Sequence, residues 1–139
     1  ATIAFAANPA GDVTVNKVHL SFVGRAVSDG TTITARLIDS NTGTDWSGLS
    51  AGACTTDTSN SCGITFSFIT IPTITAGTTK TVKVRVNSAN FFDGVNTSDS
   101  LSVLISAKTD VDWGDGTTTS GLNLETYLVP ITITNISYE

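Results

Sequence analysis

The chain has 139 residues, a mass of 14.4 kDa and a formal net charge of −5. This length suffices to bury roughly two thirds of the unfolded surface in a shared core, and a charged fraction of only 14% argues against a disordered chain. Seven basic residues against twelve acidic ones repel a polyphosphate, which argues against general nucleic-acid binding. No apolar run reaches the ~18 residues of a membrane span.

The composition indicates the structural class. Threonine is the commonest residue, with 25 copies, and ten of the twelve acidic residues are aspartate. Thr, Val and Ile suit a pleated, half-buried surface, whereas Asp, Asn and Gly suit turns. Helix-forming residues are scarce. The composition therefore predicts an all-β protein.

Alternation of apolar and polar residues predicts the first three strands. Residues 2–7 place Ile3 and Phe5 on one face. In the second strand, residues 13–24, the apolar parity changes at Asn16-Lys17, which predicts a β-bulge or a strand that changes sheets. The third strand, residues 31–38, follows a turn.

A long polar stretch, residues 39–63, separates these strands from an apolar one at residues 64–71, which ends at a proline. The remaining predicted strands are residues 78–86, 100–108, 121–129 and 131–138, with loops at residues 87–99 and 109–120. Eight short strands without an internal repeat predict one domain over residues 1–139. Their spacing is typical of an Ig-like β-sandwich with Greek-key connections.

Cys54 and Cys62 are separated only by small polar residues, which predicts a local disulfide bond. On the chain-entropy model, such a short ring adds roughly 2–3 kcal/mol to the free energy of unfolding. The bond implies an exported protein. A metal pair would need two further soft ligands, and a redox pair would need closer spacing. Two reduced thiols are the remaining alternative.

A cluster of aspartates lies in the loop at residues 109–120. Asp110, Asp112 and Asp115 are side chains that can converge on a hard cation such as Ca²⁺. The stretch departs from the EF-hand pattern, because Gly121 stands where that pattern has an acid. Asp115 also begins an Asp-Gly pair, which favours a tight hairpin turn. The sequence leaves a calcium site and a plain hairpin as alternatives.

Aromatic residues in predicted loops have two interpretations. Trp46 and Trp113 each follow an aspartate and precede a small residue, and Phe91 and Phe92 are adjacent. Such rings either plug the end of a sandwich core or lie exposed, where they stack on a sugar or anchor an interface.

Two further patterns bear on function. The chain has one histidine, His19, and lacks a nucleophile elbow, a P-loop and a zinc-protease motif, so we expect no enzyme activity. Asn96 and Asn135 begin N-glycosylation acceptor patterns, which adds glycans to the expected partners.

The chain opens and closes on strands. Ala1 and the absence of methionine predict an extracellular protein whose signal peptide has been cleaved, or an excerpt of a longer chain. A terminal strand either pairs within its own sheet or completes the sheet of a neighbour, and a repeated, non-closing contact gives a filament. In the second case the assembly interface would contain Ile3, Phe5, Ile131, Ile133 and Ile136.

Three segments, residues 7–18, 74–86 and 101–106, resemble Ig-like β-sandwich domains of bacterial and archaeal exported surface proteins. Such domains occur in surface-layer proteins and fibre subunits. The alanine-rich first strand is similar to mature subunits of donor-strand fibres such as the TasA-like biofilm proteins. The resemblance implies a structural role without a catalytic centre.

Three hypotheses follow. The first is a structural subunit of an extracellular filament or surface layer, whose partners are copies of itself. The second is an adhesin or carbohydrate-binding module with calcium as its cofactor. The third is an accessory domain of a larger secreted enzyme.

Overall fold

The computed structural model describes residues 1–25, 30–48, 51–87, 100–115 and 131–137, the last range by its backbone. Within these ranges the regular structure consists of ten strands and two 3₁₀ turns, Trp46–Gly48 and Lys108–Asp110. Two antiparallel sheets pack against each other. The predicted all-β sandwich is therefore confirmed.

The first sheet has four strands in the order β1–β7–β3–β4. The second has the order β10–β8–β2–β5, with the short strands β6 and β9 also paired to β2. Neighbours in a sheet are mostly not consecutive in the chain, so most connections cross between the sheets. The strands are β1 (Thr2–Ala6), β2 (Val13–Arg25), β3 (Thr32–Asp39), β4 (Gly52–Thr55), β5 (Ser61–Ser67), β6 (Thr73–Ile74), β7 (Thr79–Asn87), β8 (Ser100–Ile105), β9 (Val111–Gly114) and β10 (Ile131–Ser137).

Strand β2 is the longest strand of the second sheet and pairs with other strands along both of its edges. It pairs with β5 and β6 along one edge and with β8 and β9 along the other. Its register against β9 shifts between Val15 and Lys17, so Asn16 forms the β-bulge that the parity change predicts. Because of this extra residue, Val15 and Val18 both face the core.

The core lies between the two sheets, and alternate residues of each strand contribute to it. Burying one large aliphatic or aromatic side chain stabilises the fold by roughly 1.5–3 kcal/mol. The largest side chains with almost no exposed surface are those of Val15, Val18, Leu20, Phe22, Ile33, Leu37, Phe66, Val82 and Val103.

Three short strands were not predicted, and two predicted ends were wrong. Strands β4, β6 and β9 have two to four residues each, too few to show alternation, and they form by pairing with longer neighbours. Strand β5 begins at Ser61 and ends at Ser67, so Ile69 and Ile71 lie outside it, 76% and 54% exposed. Strand β8 ends at Ile105, before the predicted residue 108. The predicted strand at residues 121–129 lies outside the described residues.

Gly52 lies on β4, the edge strand of the first sheet, close to β5 at the edge of the second. A Cβ atom at this position would overlap Cγ2 of Ile64, a buried residue of β5. We expect Gly52→Ala to lower the free energy of unfolding in urea by about 1–3 kcal/mol, because either β4 or the core must shift.

Gly11→Ala is the matched control. A Cβ atom there meets nothing within 4 Å, so its effect should stay within about 0.5 kcal/mol. Equal stabilities of the two variants would contradict the close approach of β4 to β5.

Candidate functional site

One side of the sandwich is closed by a covalent bond. Cys54 lies on β4, at the edge of the first sheet, and Cys62 lies on β5, at the edge of the second. Their Cα atoms are 5.8 Å apart and the two residues form a disulfide bond. The predicted disulfide is confirmed, but it does more than pin a loop, because it joins the two sheets. We call this side, β4 and β5, the disulfide side.

The opposite side is closed by the first and last described strands. Within the described residues, β1 has β7 as its one neighbour in the first sheet, and β10 has β8 as its one neighbour in the second. The two strands lie next to each other across the sandwich. We call this side, β1 and β10, the terminal-strand side. The described residues place no covalent bond between its two strands.

Strand β1 is short, and few of its side chains contact the core. Ile3 lies opposite Val82 and Phe5 opposite Lys80 in the antiparallel register with β7. Ile3 and Phe5 are half-buried against the core, as the alternation predicts, while the other three residues of the strand are exposed. The strand is therefore held mainly by its backbone hydrogen bonds and two apolar side chains.

An aromatic cluster covers the end of the core beside β1. Trp46 is only 3% exposed and stacks on Phe5, with ring centroids 5.2 Å apart and an interplanar angle of 22°. Phe68 packs edge-on against the same indole at 4.9 Å. Of the two interpretations of Trp46, the structure favours the core plug, since so buried a ring offers little surface to a sugar.

An ion pair lies at the same end of the sandwich. Lys80 Nζ pairs with Asp39 Oδ2, and Asp39 Oδ1 accepts the backbone N–H of Asn41 at 2.8 Å and of Thr42 at 3.4 Å. Burial by itself raises the pKa of the Asp39 carboxyl, but hydrogen bonding to Lys80 and to the loop backbone outweighs it, so the pKa lies below its usual value. This pair was not predicted from the sequence. The alternation pattern could have found it, because Asp39 and Lys80 occupy positions of their strands that alternate in step with the buried residues.

The predicted calcium residues have separate positions. Asp110 Oδ2 accepts the backbone N–H groups of Ser106 and Ala107, each at 2.8 Å, and so bridges the break between β8 and β9. Asp112 lies on β9, where its buried Oδ1 has no hydrogen-bond partner among the described residues, and Asp115 follows that strand. The predicted loop is thus partly a strand.

In the described ranges no group of three or more His, Cys, Asp or Glu side chains is placed to hold a metal. The calcium site stays a prediction.

Trp113 is half-buried on β9, opposite Val15.

The other predicted site residues divide into two groups. Phe91, Phe92 and Asn96 lie outside the described residues. The backbone of β10 pairs Ile131 with Ile105, Ile136 with Leu101 and Asn135 with Ser102, and its register shifts between Thr132 and Thr134, next to Ile133.

The chain matches no protein-family model, no curated protein and no solved structure. The resemblance to domains of exported surface proteins therefore stays a prediction.

Among the described segments there is no helix long and apolar enough to span a membrane.

The Asp39–Lys80 pair predicts a specific dependence of stability on pH. Asp39→Asn leaves Lys80, 28% exposed, without its carboxylate, and we expect a loss of about 1–3 kcal/mol in the free energy of unfolding at pH 7. Because the folded pKa of Asp39 is lowered, its contribution is complete above the unfolded value near 3.9 and is lost as pH falls through the folded pKa. Urea unfolding at several pH values should show the wild type and the variant converging in acid.

Asp45→Asn is the control for this prediction. It removes a more exposed contact, with Asp45 Oδ2 3.7 Å from Arg36 Nη1, and should cost less than about 1 kcal/mol. A stability difference between wild type and Asp39→Asn that stays constant from neutral to strongly acidic pH would contradict the assignment.

Proposed function

We propose that the chain is a structural subunit of an extracellular filament, in which β1 of one copy completes the first sheet of the next. The observation that carries this proposal is the asymmetry of the two sides. The disulfide side is locked by Cys54 and Cys62, whereas the terminal-strand side is closed by a short edge strand. A disulfide bond is typical of an oxidising, extracellular compartment.

A second copy can supply what β1 supplies. Its main chain would make the same hydrogen bonds to β7, and Ile3 and Phe5 would fill the same positions in the same register. Because β1 would make the same interactions with a neighbour as it makes within its own subunit, exchange replaces each interaction that it breaks, and it requires the connection to β2 to open. Repeated head to tail, such an interaction does not close and extends into a fibre.

The connection between β1 and β2 favours this opening. Ala7 is buried in the core and its backbone N–H donates to Thr78. Beyond it, residues 8–12 are attached to the rest of the subunit mainly by the backbone carbonyl of Asn8, which accepts the N–H of Gly77 at 3.4 Å, and by Asp12 Oδ1, which accepts that of Ala76 at 2.8 Å. Pro9 disfavours a helical conformation of the residue before it. Fully extended, six residues span roughly 20 Å, enough to carry β1 out of its own subunit.

The disulfide would keep the acceptor intact during exchange. While β1 is absent, the bond would still join the two sheets at β4 and β5, which contact each other in the folded subunit. The carbohydrate-binding alternative has less support, because Trp46 is buried. We also propose no catalytic role, since Asp39 and Asp110 are engaged in structural hydrogen bonds.

Substitutions in β1 test the proposal. Ile3→Ser/Phe5→Ser removes both inward side chains, and we expect filaments in negative-stain micrographs to disappear. Ala4→Ser/Ala6→Ser changes two outward positions of the same strand and should leave filaments intact.

Deletion of residues 1–7 gives the second readout. The truncated chain should not polymerise, and a synthetic peptide of residues 1–7 should raise its melting temperature by filling the vacant position beside β7. Filaments that persist after the deletion and in Ile3→Ser/Phe5→Ser would show that β1 is not the exchanged strand.

A further inference from the structure

The outer face of the first sheet concentrates positive charge. Strands β3 and β7 are its two central strands, and Arg36 of β3 lies directly opposite Arg85 of β7. Lys83 lies two residues before Arg85 on β7 and is exposed on the same face. These are three of the seven basic residues of a chain whose net charge is −5. The charge is therefore unevenly distributed, with a positive patch on an acidic protein.

A concavity of about 410 Å³ lies at this patch, lined by Thr34, Arg36, Arg85, Val86 and Asn87. Like charges directly opposite each other destabilise a pair of strands. Asp45 compensates Arg36 weakly, at 3.7 Å, and among the described residues no carboxylate pairs with Arg85 or Lys83. An anion in the concavity would offset this repulsion.

The chemistry of the lining selects the anion. Two guanidinium groups present planar forks of N–H donors, which match the two oxygens of a carboxylate. We propose that Arg36 and Arg85 bind the carboxylate of a turn aspartate from a second copy of this chain. The proposal rests on the proposed function, which brings copies together, and it adds a second contact between them.

Charge complementarity favours a second copy as the partner. Two chains with a net charge of −5 repel each other unless a positive patch on one meets a carboxylate on the other. Among the described aspartates, Asp12, Asp57 and Asp115 are exposed and lie outside the strands.

Asp57 is the described aspartate that fits best. It lies exposed in the turn between β4 and β5, and its Oδ1 accepts hydrogen bonds from the backbone N–H and hydroxyl groups of Ser59 and Ser61. These hydrogen bonds, the Ser61 backbone one foremost, hold the pKa of Asp57 below its usual value, so the group stays ionised. Its Oδ2 accepts no hydrogen bond from the described residues and is free to meet a guanidinium.

The contact differs from strand exchange in its response to salt. Strand exchange depends on main-chain hydrogen bonds and apolar side chains, whereas a contact between exposed charges is screened as ionic strength rises. The two can therefore be measured separately in the same full-length protein.

Sedimentation velocity at about 20 mM and about 500 mM NaCl tests the proposal. We expect Arg36→Gln/Arg85→Gln to weaken the salt-sensitive association at least about tenfold, and Asp57→Asn to do the same. Lys17→Gln/Arg25→Gln is the matched control, because it removes two positive charges from another surface and should leave the association unchanged. Thermal melting verifies that each variant is folded.

Three results would overturn the proposal: self-association that does not respond to salt, equal losses in the two double variants, or an Asp57→Asn variant that associates like the wild type. Oligogalacturonate serves as the competing probe. Its binding through Arg36 and Arg85, without salt-sensitive self-association, would assign the concavity to an acidic glycan instead. Filaments should persist in every one of these variants, and their absence from the wild type would contradict the proposed function alone.

Discussion

The bond between Cys54 and Cys62 is the constraint on which the rest of the structure depends. It joins the edge strands of the two sheets, so the sandwich cannot open on the disulfide side. On the chain-entropy model a ring of this size contributes about 2.5 kcal/mol, comparable to burying one large core side chain. Gly52, two residues before Cys54, lets β4 approach the buried Ile64 closely. The disulfide side is thus fixed covalently, whereas the terminal-strand side is closed by the short edge strand β1.

On the terminal-strand side, β1 itself is attached by few side chains, whereas the residues that surround its position, which we call the seat for β1, are well packed. Phe5 stacks on Trp46, and Phe68 packs edge-on against the same indole. Lys80, opposite Phe5, pairs with Asp39. The seat for β1 is thus built from residues far from β1 in the sequence. The proposed strand exchange requires these residues to keep their positions when β1 leaves.

The sequence predicts what local alternation determines, and it does not predict long-range register. Parity located the long strands and the bulge at Asn16, because each strand buries one face. Spacing was enough to pair Cys54 with Cys62, but not to show that they belong to different sheets. The opposition of Arg36 and Arg85 was missed because it arises only when β3 pairs with β7.

Disulfide cross-linking of the assembled full-length protein tests the central claim most directly. Ala4 and Thr81 are direct partners across β1 and β7, while Ile38 and Lys83 are direct partners across β3 and β7, which exchange leaves in one chain. After oxidation of filaments, Ala4→Cys/Thr81→Cys should give a ladder of covalent multimers on a non-reducing gel. Ile38→Cys/Lys83→Cys should give monomers. Closure of the first pair within single chains would contradict strand exchange through β1.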